Sequence, residues 1–376
     1  MNTSFDVVVI GGGLAGMVSA GLLAKMGFSV NLLEKGTYPR HKVCGEFVSF
    51  ESEFALDKMG VVLRDLSPIK IEQFTLSTTT GSKARLNLPQ PGIGLSRYKL
   101  ENVLYEQLLK LGVTVNCKTK VTEVSQLDGD AGHIVHAQHG NTITSKLVIG
   151  AFGKRSGLQV ISLNRSGYFA AKNHYRFPFN PNEVQLHMFP GGYGGMSMVE
   201  SNLVNFCYLG KTVDLKKSGS IEAYQKMVVG KNPYLKELLD KGEPMLKKTL
   251  TISQIDFGHR NRVSNGVFHA GDAGGVIHPL SGNGMSMAIN SALLLSEVSE
   301  RFLSGRITRK QMENQYSKSW EKSFGLRMIS SRFYQSLFEH SWGRKIAVGA
   351  LKNKTLGRKL IRLTHGKPQE YVSNAV

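Results

Sequence analysis

The chain has 376 residues, 41% of them hydrophobic and 20% charged, with 47 Lys and Arg against 28 Asp and Glu for a formal charge of +19. Its length suits one large core or two domains, and its composition is that of a folded globular chain rather than a disordered one. The basic excess points to an anionic membrane or acidic ligands; no recognisable nucleic-acid module accompanies it, so nucleic acid is not an expected partner.

Phe5 to Ile10 is a short apolar, β-branched run, the pattern of a buried parallel strand. Gly11-Gly12-Gly13-Leu14-Ala15-Gly16 follows and contains the spacing G-x-G-x-x-G. A small, apolar, proline-free stretch to Met26 then reads as helix, and Phe28 to Leu33 reads as a second strand that ends in Glu34. Gly11 permits the tight turn, Gly13 lets a pyrophosphate approach the backbone, and Gly16 lets the helix pack closely on the strand. The N–H groups at the helix start face that diphosphate, aided by the helix dipole. Glu34 stands about 20 residues on, where an acid accepts hydrogen bonds from ribose hydroxyls and repels a 2′-phosphate. Strand, glycines, helix, strand and acid in that order predict a dinucleotide site.

Tyr38 to Phe47 (YPRHKVCGEF) leaves the carboxyl end of the second strand and so lies over the cofactor crevice. It gathers Arg40, His41, Lys42, Cys44, Gly45 and Glu46. The segment is either a lip of the crevice or a solvated basic loop. Cys44 is either a thiol activated by Arg40 and Lys42 or a small buried hydrophobe. Pro68 to Leu88 predicts two antiparallel strands with a turn at Gly81-Ser82. Arg97 opens a helix with apolar residues at Leu100, Val103, Leu104, Leu108 and Leu111, ended by Gly112.

Val113–Val115 is a further parallel strand. A meander follows: Val121–Leu127, a turn at Asp128-Gly129, then His133–Gln138. Lys146–Ala151 is one more buried strand, and Phe152-Gly153-Lys154-Arg155-Ser156 after it lacks the phosphate-loop spacing; Lys154 and Arg155 face either a phosphate or solvent. Tyr168–Tyr175, Val184–Phe189, Gly195–Glu200 and Val204–Leu209 predict an antiparallel sheet, apolar on at least one side. That face is either plain core or a wall for a lipophilic or aromatic substrate. Pro233–Leu239 and its flanks read as helix.

Gly266–Ala270 is a buried strand ending in Gly271-Asp272, and Asp272 can accept a hydrogen bond from a ribityl or ribose hydroxyl. His278-Pro279 turns the chain, and Gly282-Asn283-Gly284 opens a helix through Met285, Ala288, Ala292 and Leu295. That helix N-terminus can donate to the pyrimidine oxygen of a flavin, stabilising its reduced anion by on the order of 1 kcal/mol. From Arg301 bases outnumber acids, and Ser323–Leu337 and Arg344–Leu363 are amphipathic and helix-like. They form a helical cap that gives Trp320 and Trp342 a core, or alternatively a membrane-facing basic surface. Three scattered cysteines, Cys44, Cys117 and Cys207, argue against a disulfide framework or cysteine zinc site and for a reducing cytoplasm. Met1–Ser4 leaves no room for a signal peptide, and no apolar run of about 20 residues predicts a spanning helix.

With both glycine motifs, Gly11–Gly16 and Gly271–Gly284, the chain resembles the FAD-dependent superfamily of aromatic-hydroxylase-like monooxygenases, geranylgeranyl-reductase-like enzymes and flavin-dependent halogenases. The resemblance covers most of the chain up to about residue 300. It implies an α/β fold with a Rossmann-like FAD-binding domain of the glutathione-reductase/p-hydroxybenzoate-hydroxylase type (1–66, 96–160 and 256–300). An antiparallel-sheet substrate domain (67–95 and 161–255) is inserted, and a basic helical region (301–376) follows. It also implies FAD as cofactor, held by Gly11, Gly13, Leu14, Ala15, Gly16, Glu34, Lys35, Arg40, Cys44, Gly45, Arg97, Val121, Gly271, Asp272, Pro279, Gly282, Asn283, Gly284 and Met285. His278, Lys42, Glu46 and Cys44 are the candidates for catalysis, and no metal is expected. NADPH, NADH or a separate flavin reductase would supply electrons.

Arg40-His41-Lys42-Val43-Cys44-Gly45 looks most like the reductase branch. Three departures stand out: Phe152-Gly153 where the family carries Asp-Gly, no W-x-W-x-I-P halogenase signature, and Gly195 where prenyl reductases carry the tryptophan of an aromatic lid. The expected activity is monooxygenation of a phenolic, quinone-like or lipophilic polyketide-type substrate. The alternatives are a geranylgeranyl-reductase-like C=C reductase of a prenyl or other lipid, and a non-catalytic flavin or lipid-binding protein. The expected location is the cytoplasm, with peripheral contact at the inner membrane face through the basic C-terminal region as an option.

Overall fold

The computed structural model describes residues 4–67, 69–127, 131–154, 158, 167–253, 255, 257 and 260–363. The predicted Asp128-Gly129 turn, and Arg155 and Ser156, lie outside them. In chain order the elements begin β1 (Ser4–Ile10), α1 (Leu14–Lys25), β2 (Val30–Leu33), β3 (Phe47–Ser49), α2 (Glu53–Met59), β4 (Lys70–Ser77), β5 (Lys83–Gly94) and α3 (Arg97–Lys110). They continue β6 (Thr114–Asn116), β7 (Val121–Gln126), β8 (His133–Ala137), β9 (Thr142–Gly150), β10 (Tyr168–Arg176), β11 (Glu183–Phe189), β12 (Gly192–Val199) and β13 (Leu203–Lys211). Then come α4 (Thr212–Ser218), α5 (Ile221–Met227), α6 (Pro233–Lys241), β14 (Glu243–Pro244), β15 (Leu250–Ser253), β16 (Val263–Ser264) and β17 (Val267–His269). Four helices, α7 (Gly284–Leu303), α8 (Arg309–Glu339), α9 (Ser341–Lys352) and α10 (Lys354–Arg362), close the described chain.

Two sheets result. The first has strand order β16-β17-β9-β1-β2-β6, with the β7–β8 hairpin attached to β9. β1 lies between parallel partners, Val7 opposite Val30 on β2 and Leu147 on β9, and both its faces are covered. That is why Val7–Ile10 shows no polar alternation. Val7 and Val9 belong to the helical core with α1 and α7, while Val8 and Ile10 face the meander. α1 is apolar on every side because it is buried on every side: Leu14 through Leu23 are all buried.

The second sheet has the order β14-β10-β13-β12-β11-β4-β5-β3, with β15 on β10. β3 follows the Cys44 loop directly, so that loop is anchored on the second sheet, with Phe47 opposite Gly94 on β5. One face, carrying Phe169, Phe189, Met196, Val204, Phe206 and Tyr208, packs on Tyr224, Leu235 and Leu238 of α5 and α6. The other face turns toward the first sheet's loops and carries the site. Among the described residues no helix is long and apolar enough to cross a membrane.

The C-terminal region departs from one expectation. Trp320 finds a core and is 1% exposed, but Trp342 is 57% exposed. Trp320 lies on the inner side of α8 with Phe324 and Met328, whereas α9 turns Ala347, Val348 and Leu351 inward and leaves Trp342 on its outer side.

Candidate functional site

The two glycine turns meet. Gly11 has φ +99°, a left-handed conformation that favours glycine, and a Cβ on Gly16 would stand 1.9 Å from the Gly11 carbonyl oxygen. Helix α1 therefore sits directly on the end of β1. Gly271, at φ +62°, packs so tightly on the first turn of α1 that a Cβ there would be 2.8 Å from the Ala15 Cβ. The Gly271 amide is held by Ser291 Oγ of α7 at 2.9 Å. Gly13 differs: a Cβ there would meet only Lys42 Nζ, at 3.8 Å. Among the described residues no side chain caps α1 at Gly13 or α7 at Asn283, so both helix N-termini present backbone donors to an anion.

Charge around Gly13 is unbalanced. Glu34 accepts from Gly12 N at 2.7 Å, Gly36 N at 2.7 Å and Arg40 Nη1 at 2.7 Å. Burial pushes the Glu34 carboxyl up, but Arg40 and the two amides outweigh it and bring it to about 2. The carboxylate thus orders the glycine loop from below, and Lys35 beside it is exposed. Fully buried Glu101 of α3 is shared by Arg97, by Lys42 Nζ at 3.0 Å and by Arg40 Nε at 3.5 Å. Three cations therefore share two carboxylates, and the surplus positive charge faces Gly13. Burial, with Arg97 close by, lowers Lys42 to about 8. A phosphate beside it would hold the ammonium charged.

The segment Cys44–Glu46 is gripped by one face of the second sheet. Ser197 Oγ donates to Gly45 O at 3.0 Å and Asn205 Nδ2 donates to Cys44 O at 3.1 Å. Glu46, wholly buried and at φ 55°, accepts from the Arg97 backbone N–H at 2.7 Å, from His174 Nε2 at 2.7 Å and from Lys172. Burial raises the Glu46 carboxyl, and the His174 hydrogen bond with the Lys172 charge more than reverses that. These sheet residues are cross-strand neighbours: Lys172 opposes Cys207, His174 opposes Asn205, and Ser197 opposes Asn205. The Arg97 guanidinium pairs with Glu101 and lies near Cys44. Burial first, and then Cys44 nearby, push the Cys207 thiol up to about 12.

His278 is 2% exposed and ringed by Phe257 at 4.7 Å and Tyr193 at 6.0 Å. Its Nδ1 accepts the Leu280 N–H at 3.3 Å, so the neutral ring carries its proton on Nε2, a buried donor with no partner in the described chain. Burial, then Lys154, lowers His278 to about 3; burial, then Lys83, does the same to His187. Both rings stay neutral when folded and protonate only on unfolding. Their stabilisation is therefore complete above the unfolded value of 6.5 and is lost as pH falls below it. The expected loss at pH 5.5 relative to pH 7.5 is on the order of 3 kcal/mol for the pair. Urea denaturation at the two values checks this, and equal midpoints would contradict it.

Of the remaining predicted positions, Asp272 is half-exposed with Lys154 Nζ at 4.0 Å. Gly45, Pro279 and Gly282 are exposed, Gly284 is half-buried, and Asn283, Met285, Leu14 and Ala15 are buried. Val121 is buried in the meander core. The sequence reading passed over Glu101, Lys172, His174, Ser197 and Asn205. A signal for two of them was there: Lys172 and His174 at spacing two share one face of the apolar strand FAAKNHY, and a lysine so placed is rare in a core unless paired.

These residues fit FAD. Gly13 leaves the approach that a diphosphate needs, uncapped helix starts and surplus cations supply its charge partners, and His278 Nε2 is an orphaned donor beside the second glycine turn. The fold is a Rossmann-like α/β fold of the FAD-binding type, with a mostly parallel sheet beside a large, mainly antiparallel one. A family model described as FAD binding domain matches residues 4–174. A digeranylgeranylglycerophospholipid reductase of Methanococcus vannielii is 23% identical, over 90% of this chain and 88% of that protein. A solved geranylgeranyl bacteriochlorophyll reductase-like protein of Thermoplasma acidophilum superposes with a TM-score of 0.77 at 20% identity, covering 96% of this chain and 95% of that one. A flavin-dependent brominase gives 0.79 at 18% identity, covering 98% and 95%. Residues 4–174 thus match an FAD binding domain, and the fold as a whole is similar to those of the reductase-like and brominase structures.

Proposed function

We propose that this enzyme reduces a carbon–carbon double bond in a prenyl or other apolar lipid. The sequence alone favoured hydroxylation; the relatives' reductase character and the graded face of the second sheet support reduction instead. That face is polar where Lys172, His174, Ser197 and Asn205 hold the Cys44 loop, and becomes apolar through Tyr193, Leu209, Leu186, Met188 and Leu76. Val43, next to Cys44, and Leu280, next to Pro279, pack on the same apolar cluster, so it runs up to both loops of the cofactor site. This continuity carries the reading: an aliphatic chain inserted between that face and α9, which packs on it, would end at the cofactor loops.

FAD, when bound, would supply the reducing pair of electrons, with NADPH, NADH or a partner flavin reductase as its source. Arg97, Lys42 and Arg40 would hold its phosphates, Glu34 orders the glycine loop through Gly12 and Gly36, and the Glu46 network fixes the Cys44 loop. The apolar face excludes water, and His278 Nε2–H offers a neutral hydrogen-bond donor. The test is anaerobic incubation of chemically reduced enzyme with a geranylgeranyl glycerolipid. A product two mass units heavier per reduced bond supports reduction. A product that forms only with oxygen and carries an added oxygen atom overturns it in favour of hydroxylation.

A further inference from the structure

We propose that the outer side of α8 and α9 is a docking surface for an anionic lipid bilayer. On α8, Trp320, Phe324, Met328 and Ser331 are buried, whereas Leu326, Ile329 and Phe333 are 63%, 65% and 64% exposed. At about 100° per residue the two sets centre nearly opposite each other, so the exposed three form one apolar stripe. On α9, Ala347, Val348 and Leu351 are buried, while Trp342 and Ile346 are 57% and 55% exposed, one turn apart. Isolated exposed apolar residues need no explanation; five large ones on the outer sides of two successive helices do.

Charge selects the occupant. From Lys322 to Leu363 the chain has ten Lys and Arg and one acid. Lys322, Arg332 and Lys345 are exposed within the same stretch as the apolar residues. A second copy of this chain would bring like charges together, which opposes self-association. An anionic bilayer meets both features: its phosphates attract the bases, and its acyl boundary takes Leu, Ile, Phe and Trp side chains. Trp342, stacked on His340 at 5.8 Å, is the kind of side chain that settles at that boundary. The inner side of α9 covers the apolar face of the second sheet, so docking would place the bilayer beside the route to the site. That last point rests on the lipid-reductase reading; the docking itself does not.

The experiment is co-sedimentation of the full chain with phosphatidylcholine vesicles, with and without phosphatidylglycerol. Binding should require phosphatidylglycerol and weaken about tenfold or more in Ile329→Asp/Phe333→Asp and in Lys322→Glu/Arg332→Glu/Lys345→Glu. All five side chains are exposed, so both variants should keep the wild-type melting temperature. Vesicles should also shift Trp emission to the blue, and Trp342→Phe should remove the shift, because Trp320 is already buried. Equal binding with and without phosphatidylglycerol, or undiminished binding by both variants, overturns the proposal. So does a dimer that Ile329→Asp/Phe333→Asp converts to monomer. Anaerobic reduction of a detergent-dispersed substrate, measured in parallel, reports on the reductase reading separately.

Discussion

Gly13→Val should purify colourless while the wild-type protein purifies yellow, and its affinity for added FAD should fall about 100-fold or more. The local geometry makes this a clean test. Gly13 is extended, at φ −84° and ψ −175°, so valine meets no backbone strain there. Among the described residues its Cβ would meet only Lys42 Nζ, at 3.8 Å, so the loop itself is open at that position. The side chain would fill the approach reserved for the diphosphate and nothing else. The variant should therefore melt with the apo wild type. Gly11→Val should behave differently, because a Cβ there would lie 2.6 Å from the Ala151 carbonyl oxygen on a left-handed backbone; it should fail to fold. Flavin absorbance of the purified proteins decides, and a fully yellow Gly13→Val protein would remove FAD from this loop.

Glu46→Ala should destabilise the protein by about 3–5 kcal/mol, because it strips the partner from a fully buried ammonium. Lys172 is 0% exposed and pairs with Glu46, as does His174. The Arg97 amide loses its acceptor as well. Relief of the left-handed backbone does not account for the change, since alanine at φ 55° is no more at ease than glutamate. Removing the cation should therefore recover stability: Glu46→Gln/Lys172→Met should be more stable than Glu46→Ala. Urea denaturation of the three apoproteins measures the order. A loss below about 1 kcal/mol in Glu46→Ala would show that Lys172 finds water or another partner on relaxation.

Much of this architecture was legible beforehand. Gly11, Gly13 and Gly16 announced a strand, a turn and a closely packed helix, and the structure gives Ser4–Ile10 followed by Leu14–Lys25. The run Val204–Leu209 announced a strand of an antiparallel sheet, and the structure gives Leu203–Lys211 in the second sheet, which packs by one face on α5 and α6 and turns the other to the site. Other features were not legible. Nothing local marks Glu46 as the partner of Lys172, which is 126 residues away. Cys44 and Cys207 read as isolated cysteines, yet they lie close enough for one to perturb the other. Trp342 read as a core residue and is exposed, because a helix has two sides and composition does not choose between them.

The sequence by itself determined where most strands of the two sheets and the helices α1, α3 and α7 run, where a backbone approach is open beside Gly13, and that the chain is strongly basic. Those properties are set by periods of 2 and 3.6 residues, by the missing side chain of glycine, and by simple charge. Only the tertiary structure decided which cations share Glu101 and Glu46, how the second sheet holds the Cys44 loop, and which apolar residues of the last helices remain in solvent. Pairing and exposure depend on what the rest of the chain places opposite each side chain, and that partner is often more than a hundred residues distant.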